Sequence, residues 1–322
     1  MKILQVTAPR TIAITEVPTP SPGPGQALMR INAVTTCPQW DLHLRHNSPM
    51  FIGHQFRYPY MAGQPGHEAT GVIEKLGAGV SGLAIGDRVS AWRDAGHDVP
   101  GCYAQYVVHQ AESVIRVPAG LPDEALAPVE LAMCMATVFR MLKSMDAIRG
   151  RCFGVAGLGP AGLVAVQMAK AEGAASVLGF DLVPERRELA CRLGAAAAYD
   201  PRADLAGEAP AWPAAPRLQS AVDCTGGRTS VEFLMDRTTD AVALFGVQRE
   251  DYVYRPRNSS LRLCGYKGHS RESAEYAVNL IREGRLNLAP LVTHRMPLTQ
   301  YVEAIDLLET QKAIKVCFLP WQ

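Results

Sequence analysis

Residues Phe153 to Asp181 read FGVAGLGPAGLVAVQMAKAEGAASVLGFD. A short apolar run from Cys152 to Ala156 leads into the glycine turn Gly157-Leu158-Gly159-Pro160-Ala161-Gly162. Apolar side chains then recur at helical spacing, and a second apolar run from Ser176 to Phe180 ends at Asp181. This order predicts a strand, a tight turn, a helix and a second strand with an acid at its end.

The three glycines of this turn each have a mechanical role in a nucleotide-binding unit. Gly157 permits the turn, Gly159 lets the backbone approach a pyrophosphate, and Gly162 lets the helix lie close to the strand. The N-terminus of the helix offers N–H groups to that pyrophosphate. Asp181 can accept hydrogen bonds from both ribose hydroxyls of an adenosine, and it would repel a 2′-phosphate. The stretch predicts an NAD(H) site; the alternative, a glycine turn in an ordinary α/β unit, leaves Asp181 unexplained.

Length, charge and cysteine usage limit the class of protein. The chain has 322 residues, enough for roughly two domains. Its net charge is +1 and no basic run is present, which argues against nucleic acid or an anionic membrane as the main partner. We see no signal peptide at the N-terminus and no run of about eighteen apolar residues. The eight cysteines form no C-x-x-C pair, as is typical of a reducing compartment. We expect a cytoplasmic protein that acts on a small molecule.

The pattern along the chain changes from β-rich to alternating. Residues 1 to about 116 consist of short strand-like runs separated by turn clusters, and Pro122 to Leu142 has helical periodicity. After Asp181, strands and helices alternate to the end, with a Pro- and Ala-rich segment from Pro201 to Pro216. The stretch from Cys37 to His67 has no clear period and is rich in histidine and aromatic residues, which is typical of a functional insert. The alternation predicts a doubly wound parallel sheet.

Blocks of sequence spread over nearly the whole chain carry a family resemblance. They are Gly66-His67-Glu68-Ala69-Thr70-Gly71, Gly86-Asp87-Arg88-Val89, Gly157 to Gly162 with Asp181, Asp223-Cys224-Thr225-Gly226, and Lys312 to Leu319. Together they resemble the medium-chain dehydrogenase/reductase superfamily, in its zinc-dependent alcohol and polyol dehydrogenase branch, which includes sorbitol and threonine dehydrogenases.

The resemblance implies a fold, a division into domains and an assembly. A GroES-like β-domain is expected at residues 1–145, with residues 288–322 returning to it, and a Rossmann dinucleotide-binding domain at residues 146–287. The resemblance places the active site between the domains and adds Cys224 and Thr225 to the cofactor contacts. It also implies a homodimer in which the strand near Leu261 to Gly265 extends one Rossmann sheet into that of the partner.

The same resemblance points to Cys37, His67, Glu68 and Glu130 as the environment of one catalytic zinc. Thiolate, imidazole and carboxylate are usual zinc ligands. The family usually has C-G-[ST]-D-x-x-H, with a shorter spacing after the cysteine and a Ser or Thr two residues after it. Here Cys37-Pro38-Gln39-Trp40-Asp41-Leu42-His43 is one residue longer between Cys37 and Asp41 and lacks that hydroxyl. The alternative is a buried structural cysteine beside a vestigial zinc pocket.

A structural zinc is not expected. Relatives that carry one need four closely spaced cysteines after the Gly86 to Val89 block, and only Cys102 is present in that region.

The expected chemistry is hydride transfer assisted by zinc. The metal binds the substrate oxygen while hydride leaves its carbon for the nicotinamide. Because no Ser or Thr lies between Cys37 and Asp41, His43 is the relay group best tuned to neutral pH, with Asp41 and Glu68 as further candidates. The expected catalytic residues are therefore Cys37, His43, His67 and Glu68.

The expected function is an NAD(H)- and zinc-dependent oxidoreductase acting on a secondary alcohol or its ketone, in the class of polyols, cyclitols, sugars or amino alcohols. One alternative is a zinc-less reductase of the same superfamily that reduces an enone or quinone with NAD(P)H. A non-enzymatic nucleotide-binding protein is another.

Overall fold

The computed structural model describes residues 1–93, 95–202 and 218–322, which form two compact units. The first unit combines Met1–Met133 with Asn287–Gln322, and the second is Cys134–Leu286. Most of the Pro- and Ala-rich segment, residues 203–216, lies outside the described residues.

The strands in chain order are β1 Lys2–Ala8, β2 Thr11–Glu16, β3 Gln26–Thr35, β4 Glu68–Leu76, β5 Arg88–Ala91, β6 Tyr106–Gln110, β7 Val114–Arg116, β8 Cys152–Ala156, β9 Ser176–Phe180, β10 Ala197–Tyr199, β11 Leu218–Asp223, β12 Thr238–Leu244, β13 Arg262–Gly265, β14 Val292–Met296 and β15 Lys315–Phe318. The α-helices are α1 Pro38–His46, α2 Val129–Ser144, α3 Pro160–Ala171, α4 Pro184–Leu193, α5 Arg228–Arg237, α6 Arg271–Arg282 and α7 Tyr301–Glu309.

The first unit is built on a seven-stranded sheet. Its order is β14-β15-β3-β4-β5-β7, with β6 also paired to β3, while β1 and β2 form a separate antiparallel hairpin. The central strand β3 pairs antiparallel with β4, β6 and β15. Because β15 comes from the end of the chain, the C-terminal segment contributes side chains beside the residues that follow β3.

Helix α1 lies in the stretch from Cys37 to His67, where the sequence analysis found no periodicity. Pro38 occupies its first turn, where the missing N–H is no loss, and Asn47 ends it in the left-handed conformation with φ 50°. Its buried residues are Asp41, Leu44 and Arg45. Since two of these three side chains are charged, no apolar stripe indicates the helix.

The second unit is a six-stranded parallel sheet. Its order is β10-β9-β8-β11-β12-β13, and every neighbouring pair is parallel. Counted from β8, this is the doubly wound order of dinucleotide-binding sheets, with its switch point between β8 and β11. The predicted α/β fold class with a doubly wound parallel sheet is confirmed.

Helix α2 contributes to both units. The stretch Asp123–Ser144 is long and apolar enough to cross a membrane by length and composition, but 78% of its most apolar window is buried inside the protein. Such burial is the pattern of a core helix. The division between the units falls between Met133 and Cys134, within this helix, whereas the sequence analysis put the boundary at residue 145, after the helix ends.

Candidate metal centre and cofactor site

Three of the predicted zinc ligands converge in the first unit. Cys37 follows β3 and is the N-cap residue of α1, where its side chain makes no capping hydrogen bond. His67 directly precedes β4 and Glu68 is its first residue; both are buried, and Cys37 is half-buried. One ligand atom from each of these residues lies within 4.8 Å of the others. Sulfur, imidazole nitrogen and carboxylate oxygen form a donor set that suits zinc.

The imidazole of His67 is held by a backbone group. Its Nδ1 lies 2.8 Å from the carbonyl oxygen of Pro65, so Nδ1–H donates to that oxygen and Nε2 carries the lone pair. Glu130, in the first turn of α2, places Oε2 at 3.7 Å from Nε2 of His67. Its side chain is also buried. The structure therefore brings Glu130 to the same imidazole nitrogen that faces the candidate metal position.

Glu68 forms a buried ion pair that the sequence analysis did not predict. Nζ of Lys315, on β15, donates to both carboxylate oxygens at 2.6 and 2.7 Å and to the carbonyl oxygen of Thr36 at 2.7 Å. The hydroxyl of Thr35 donates to Oε2 of Glu68 at 2.9 Å. Glu68 and Lys315 are each 1% exposed. Burial raises the pKa of Glu68, and the ammonium of Lys315 acts against this rise.

Asp41 holds the backbone of Cys37. Its carboxylate accepts hydrogen bonds from the Cys37 N–H at 2.8 Å, from the Tyr301 hydroxyl at 2.8 Å and from the Tyr103 hydroxyl at 2.9 Å. Burial raises the pKa of Asp41 to about 6, against the lowering effect of the two tyrosine hydrogen bonds. The N–H of Asp41 also donates to the Cys37 carbonyl at 2.9 Å. The segment from Cys37 to Asp41, which contains the additional residue, thus forms the first turn of α1.

The predicted relay residue His43 does not belong to the group formed by Cys37, His67 and Glu68. It is half-buried in the last turn of α1, and its Nδ1 lies 3.1 Å from the carbonyl oxygen of Ser48. Its relay role stays a prediction.

The glycine turn of the second unit has a different geometry at each glycine. Gly157 has φ +83°, a backbone conformation that residues other than glycine rarely adopt. A Cβ on Gly162 would lie 1.9 Å from the carbonyl oxygen of Gly157, so only glycine allows α3 to pack this closely. A Cβ on Gly159 would meet no atom of the described residues within 4 Å. Gly159 is the N-cap residue of α3, and the open space beside it would let an anionic group approach the N–H groups at the start of this helix.

Of the remaining predicted turn residues, Leu158 lies in the link between β8 and α3, and Pro160 and Ala161 are the first two residues of α3. Leu158 connects this turn to the acid of β9, because its N–H donates to Oδ2 of Asp181 at 2.7 Å. The N–H of Val183 donates to Oδ1 of Asp181 at 2.8 Å. The carboxylate is therefore oriented by two backbone amides.

Cys224 and Thr225 follow β11 on the other side of the switch point. The Cys224 N–H donates to the Ala156 carbonyl at 2.8 Å. A Cβ on Gly157 would lie 2.6 Å from Cγ2 of Thr225, so the threonine methyl packs directly against the glycine turn. The residues predicted to contact the cofactor thus meet at the carboxyl ends of the parallel strands, the edge at which such sheets bind nucleotides.

Comparison with known proteins agrees with both units. Residues 23–119 match the alcohol dehydrogenase GroES-like domain family, and residues 160–269 match the zinc-binding dehydrogenase family. The L-threonine 3-dehydrogenase of Bacillus subtilis (strain 168) is 28% identical over 346 residues, which cover 95% of this chain and 94% of that protein. The sorbitol dehydrogenase of Gallus gallus is 28% identical over 337 residues, which cover 93% of this chain and 90% of that protein.

Among solved structures, galactitol-1-phosphate dehydrogenase from Escherichia coli superposes with a TM-score of 0.83 at 21% identity, covering 99% of this chain and 100% of that chain. At this identity the similarity concerns the fold. The GroES-like and Rossmann architectures expected from the sequence are confirmed, and the second matched family is one of zinc-binding dehydrogenases. The chain is an oxidoreductase and belongs to the medium-chain dehydrogenase/reductase superfamily, in its zinc-dependent alcohol and polyol dehydrogenase branch.

Proposed function

We propose that this protein transfers a hydride between NAD(H) and a secondary alcohol or its ketone, with the help of one catalytic zinc. Polyols, cyclitols, sugars and amino alcohols are the proposed substrate class. The observation that carries the proposal is the convergence of the ligand atoms of Cys37, His67 and Glu68 within 4.8 Å. The relatives named threonine and sorbitol dehydrogenase support the substrate class, since both names refer to compounds with a secondary hydroxyl.

Cys37 and His67 are the proposed fixed ligands of the metal. The third ligand is a carboxylate, supplied by Glu130 while Glu68 is held by Lys315, and by Glu68 when that ion pair opens. The distance of 3.7 Å from Glu130 Oε2 to His67 Nε2 and the hydrogen bonds from Lys315 to both Glu68 oxygens support this assignment. Bound zinc would supply a Lewis acid that polarises the substrate oxygen.

Other residues of the protein orient the proposed metal ligands and transfer the proton. Pro65 fixes the tautomer of His67 so that Nε2 is the basic nitrogen, and Asp41 fixes the backbone that carries Cys37. We propose His43 as the proton relay. Its hydrogen bond from Nδ1 to the Ser48 carbonyl supports this role, because Nε2 is then the nitrogen that can accept a proton.

We propose that the protein carries no structural zinc. Cys102, the one cysteine of the region in which relatives carry that site, is 1% exposed and lies with its sulfur 3.6 Å from Nε2 of His109. A buried thiol beside the buried imidazole of His109, which lies on β6, is the arrangement of a core residue.

NAD(H) is the proposed cofactor rather than NADP(H). Asp181 is 8% exposed, and its carboxylate would oppose the charge of a 2′-phosphate. Arg186, with Nη1 at 3.9 Å from Asp181 Oδ2, is the group that would receive such a phosphate if Asp181 were neutralised. Replacing Asp181 with Asn should lower kcat/KM for NAD by about tenfold and narrow the preference over NADP. Equal kcat/KM for both cofactors in the unaltered protein would remove the basis of this assignment.

We also propose a cytoplasmic homodimer. Strand β13 pairs only with β12 among the described strands, and it is the edge at which a second sheet can add. All eight cysteines are free thiols, which suits a reducing compartment. Light scattering at micromolar concentration should give the mass of a dimer, and the mass of a monomer would contradict the assembly.

Turnover assays test the catalytic proposal. Protein purified without chelators should reduce NAD with members of a panel of secondary alcohols, and chelation of the metal should abolish this activity. Activity with enones or quinones that survives chelation would favour a zinc-less reductase. Binding of NADH without any turnover across the panel would favour a non-enzymatic nucleotide-binding protein.

A further inference from the structure

Asp223, the last residue of β11, is a fully buried acid for which neither the metal site nor the cofactor contacts give a role. Its Oδ1 accepts hydrogen bonds from the Thr225 hydroxyl at 2.8 Å, the Thr225 N–H at 3.3 Å and the Ser230 hydroxyl at 2.7 Å. Its Oδ2 accepts from the Gly226 N–H at 2.8 Å and from Nε2 of Gln248 at 3.3 Å. One carboxylate therefore binds three separate parts of the second unit.

Two of those parts are the loops that follow β11 and β12. The backbone oxygen of Asp223 also accepts from the N–H groups of Phe245 and Gly246 at 2.9 and 3.0 Å. The loops touch each other directly, since a Cβ on Gly226 would lie 2.2 Å from the carbonyl oxygen of Val247. Asp223 thus fixes both loops at the carboxyl edge of the sheet, next to the switch point.

The first loop transmits this order to the glycine turn. Thr225 donates to Asp223 through its hydroxyl, and its methyl packs against Gly157, where a Cβ would approach Cγ2 to 2.6 Å. The hydroxyl of Thr225 accepts in turn from the Gly227 N–H at 3.1 Å. The rotamer of Thr225 is therefore set by Asp223, and the position of the turn that would receive the pyrophosphate depends on that rotamer.

We propose that Asp223 is a positioning residue for the dinucleotide: it acts through Thr225 and through the loop after β12 to hold the cofactor edge of the sheet in its binding conformation. This inference rests on the proposed cofactor site. A carboxylate suits this position because both of its oxygens face N–H donors, that of Thr225 at Oδ1 and those of Gly226 and Gln248 at Oδ2. The NH₂ of an amide would therefore face at least one N–H group and could not accept from it.

Asp223→Asn tests the proposal, with NADH binding followed by the fluorescence of the bound nicotinamide. The matched control is Asp240→Asn, which removes an acid from β12, where it pairs with Arg262 in a partly exposed ion pair. We expect the dissociation constant of NADH to rise by about tenfold or more in Asp223→Asn and by less than about twofold in Asp240→Asn. Zinc content should stay unchanged, because Asp223 is not one of the predicted metal ligands. A purely structural role would lower the melting temperature and leave the NADH affinity of the folded protein unaltered.

The milder variant Ser230→Ala removes one donor to Asp223 at 2.7 Å and decides the question if Asp223→Asn does not fold. It should weaken NADH binding by about threefold. A folded Asp223→Asn with unaltered NADH affinity, or an unaltered affinity in Ser230→Ala when the first variant is unfolded, would overturn the role of Asp223. Failure of the unaltered protein to bind NADH would instead overturn the proposed cofactor site and this inference with it.

Discussion

Replacing Lys315 with Met should destabilise the first unit strongly. The side chain lies on β15 and is 1% exposed, and its ammonium donates to both oxygens of Glu68 and to the Thr36 carbonyl. Methionine fills a similar volume, but among the described residues it leaves the buried Glu68 carboxylate with one hydrogen-bond donor, the Thr35 hydroxyl at 2.9 Å. Removing one partner of a buried ion pair costs about 3–5 kcal/mol. At about 2–4 °C per kcal/mol for a domain of this size, the melting temperature should fall by about 10 °C.

The measurement is thermal unfolding of the metal-free protein in the presence of a chelator, so that loss of metal does not contribute to the difference. Lys312→Met is the matched control, because Lys312 is exposed and lies in the same C-terminal segment. The double variant Lys315→Met/Glu68→Gln should recover most of the loss, since glutamine carries no charge and can still accept from Thr35. A melting temperature for Lys315→Met within about 2 °C of the unaltered protein would refute the reasoning.

Two further predictions concern the second unit. Gly157→Ala should lower both thermal stability and NADH affinity, because φ at this residue is +83°. Gly159→Ala should leave the melting temperature unchanged, because the backbone of Gly159 is ordinary at φ −70°. It should raise the NADH dissociation constant by about tenfold, because the added methyl group would occupy open space that the pyrophosphate needs. Unchanged NADH affinity in Gly159→Ala would contradict the turn's role. Glu172→Gln should lower the free energy of unfolding at pH 7 by about 1–2 kcal/mol. This loss is smaller than for a fully buried ion pair, because Lys143, the ion-pair partner of Glu172, is 44% exposed. Burial alone would raise the pKa of Glu172, but hydrogen bonds from Lys143 and Tyr276 lower it, so its stabilisation is present above the ordinary pKa of 4.5 and is lost as the pH falls through the lowered value. The difference between Glu172→Gln and the unaltered protein should therefore shrink in urea titrations below about pH 4.5, and a difference that is constant from pH 7 to pH 3 would contradict this assignment.

The parts of the structure that follow from local sequence were predictable. The strand, turn and helix around Gly157 to Gly162 are determined by residues within one βαβ unit. The alternation of strands and helices after Asp181 predicted the doubly wound sheet. The candidate metal ligands were predicted through the Gly66-His67-Glu68 block and the acid at Glu130, because the family resemblance assigns them together.

The supporting contacts of the metal centre were not predictable, because they join residues far apart in the chain. Lys315 is 247 residues from Glu68, and Tyr301 is 260 residues from Asp41. A lysine in a strand normally lies on the solvent side, and no local pattern indicates that this one is buried against an acid. Lys312 to Leu319 were noted only as a block of family resemblance, and the hydrophobic residues on both sides of Lys315 were the available signal that its strand is internal.

Helix α1 was missed for a different reason. Its residues were judged by apolar periodicity, but two of its three buried residues, Asp41 and Arg45, are charged. These side chains are buried because they have partners elsewhere in the unit: Asp41 accepts from two tyrosines, and Arg45 pairs with Asp306 and Glu309 on α7. Hydrogen bonds and ion pairs to other elements hold this helix in place, together with the apolar contacts of Leu44 in the core.

The metal content of the protein tests the central proposal most directly. Elemental analysis of protein purified without chelators should find one zinc per chain, and His67→Ala should lose both zinc and turnover. NADH binding should stay within about twofold of the unaltered protein in His67→Ala, because the glycine turn belongs to the other unit. Absence of zinc from the unaltered protein, together with full activity of Cys37→Ala, would contradict a zinc-dependent mechanism.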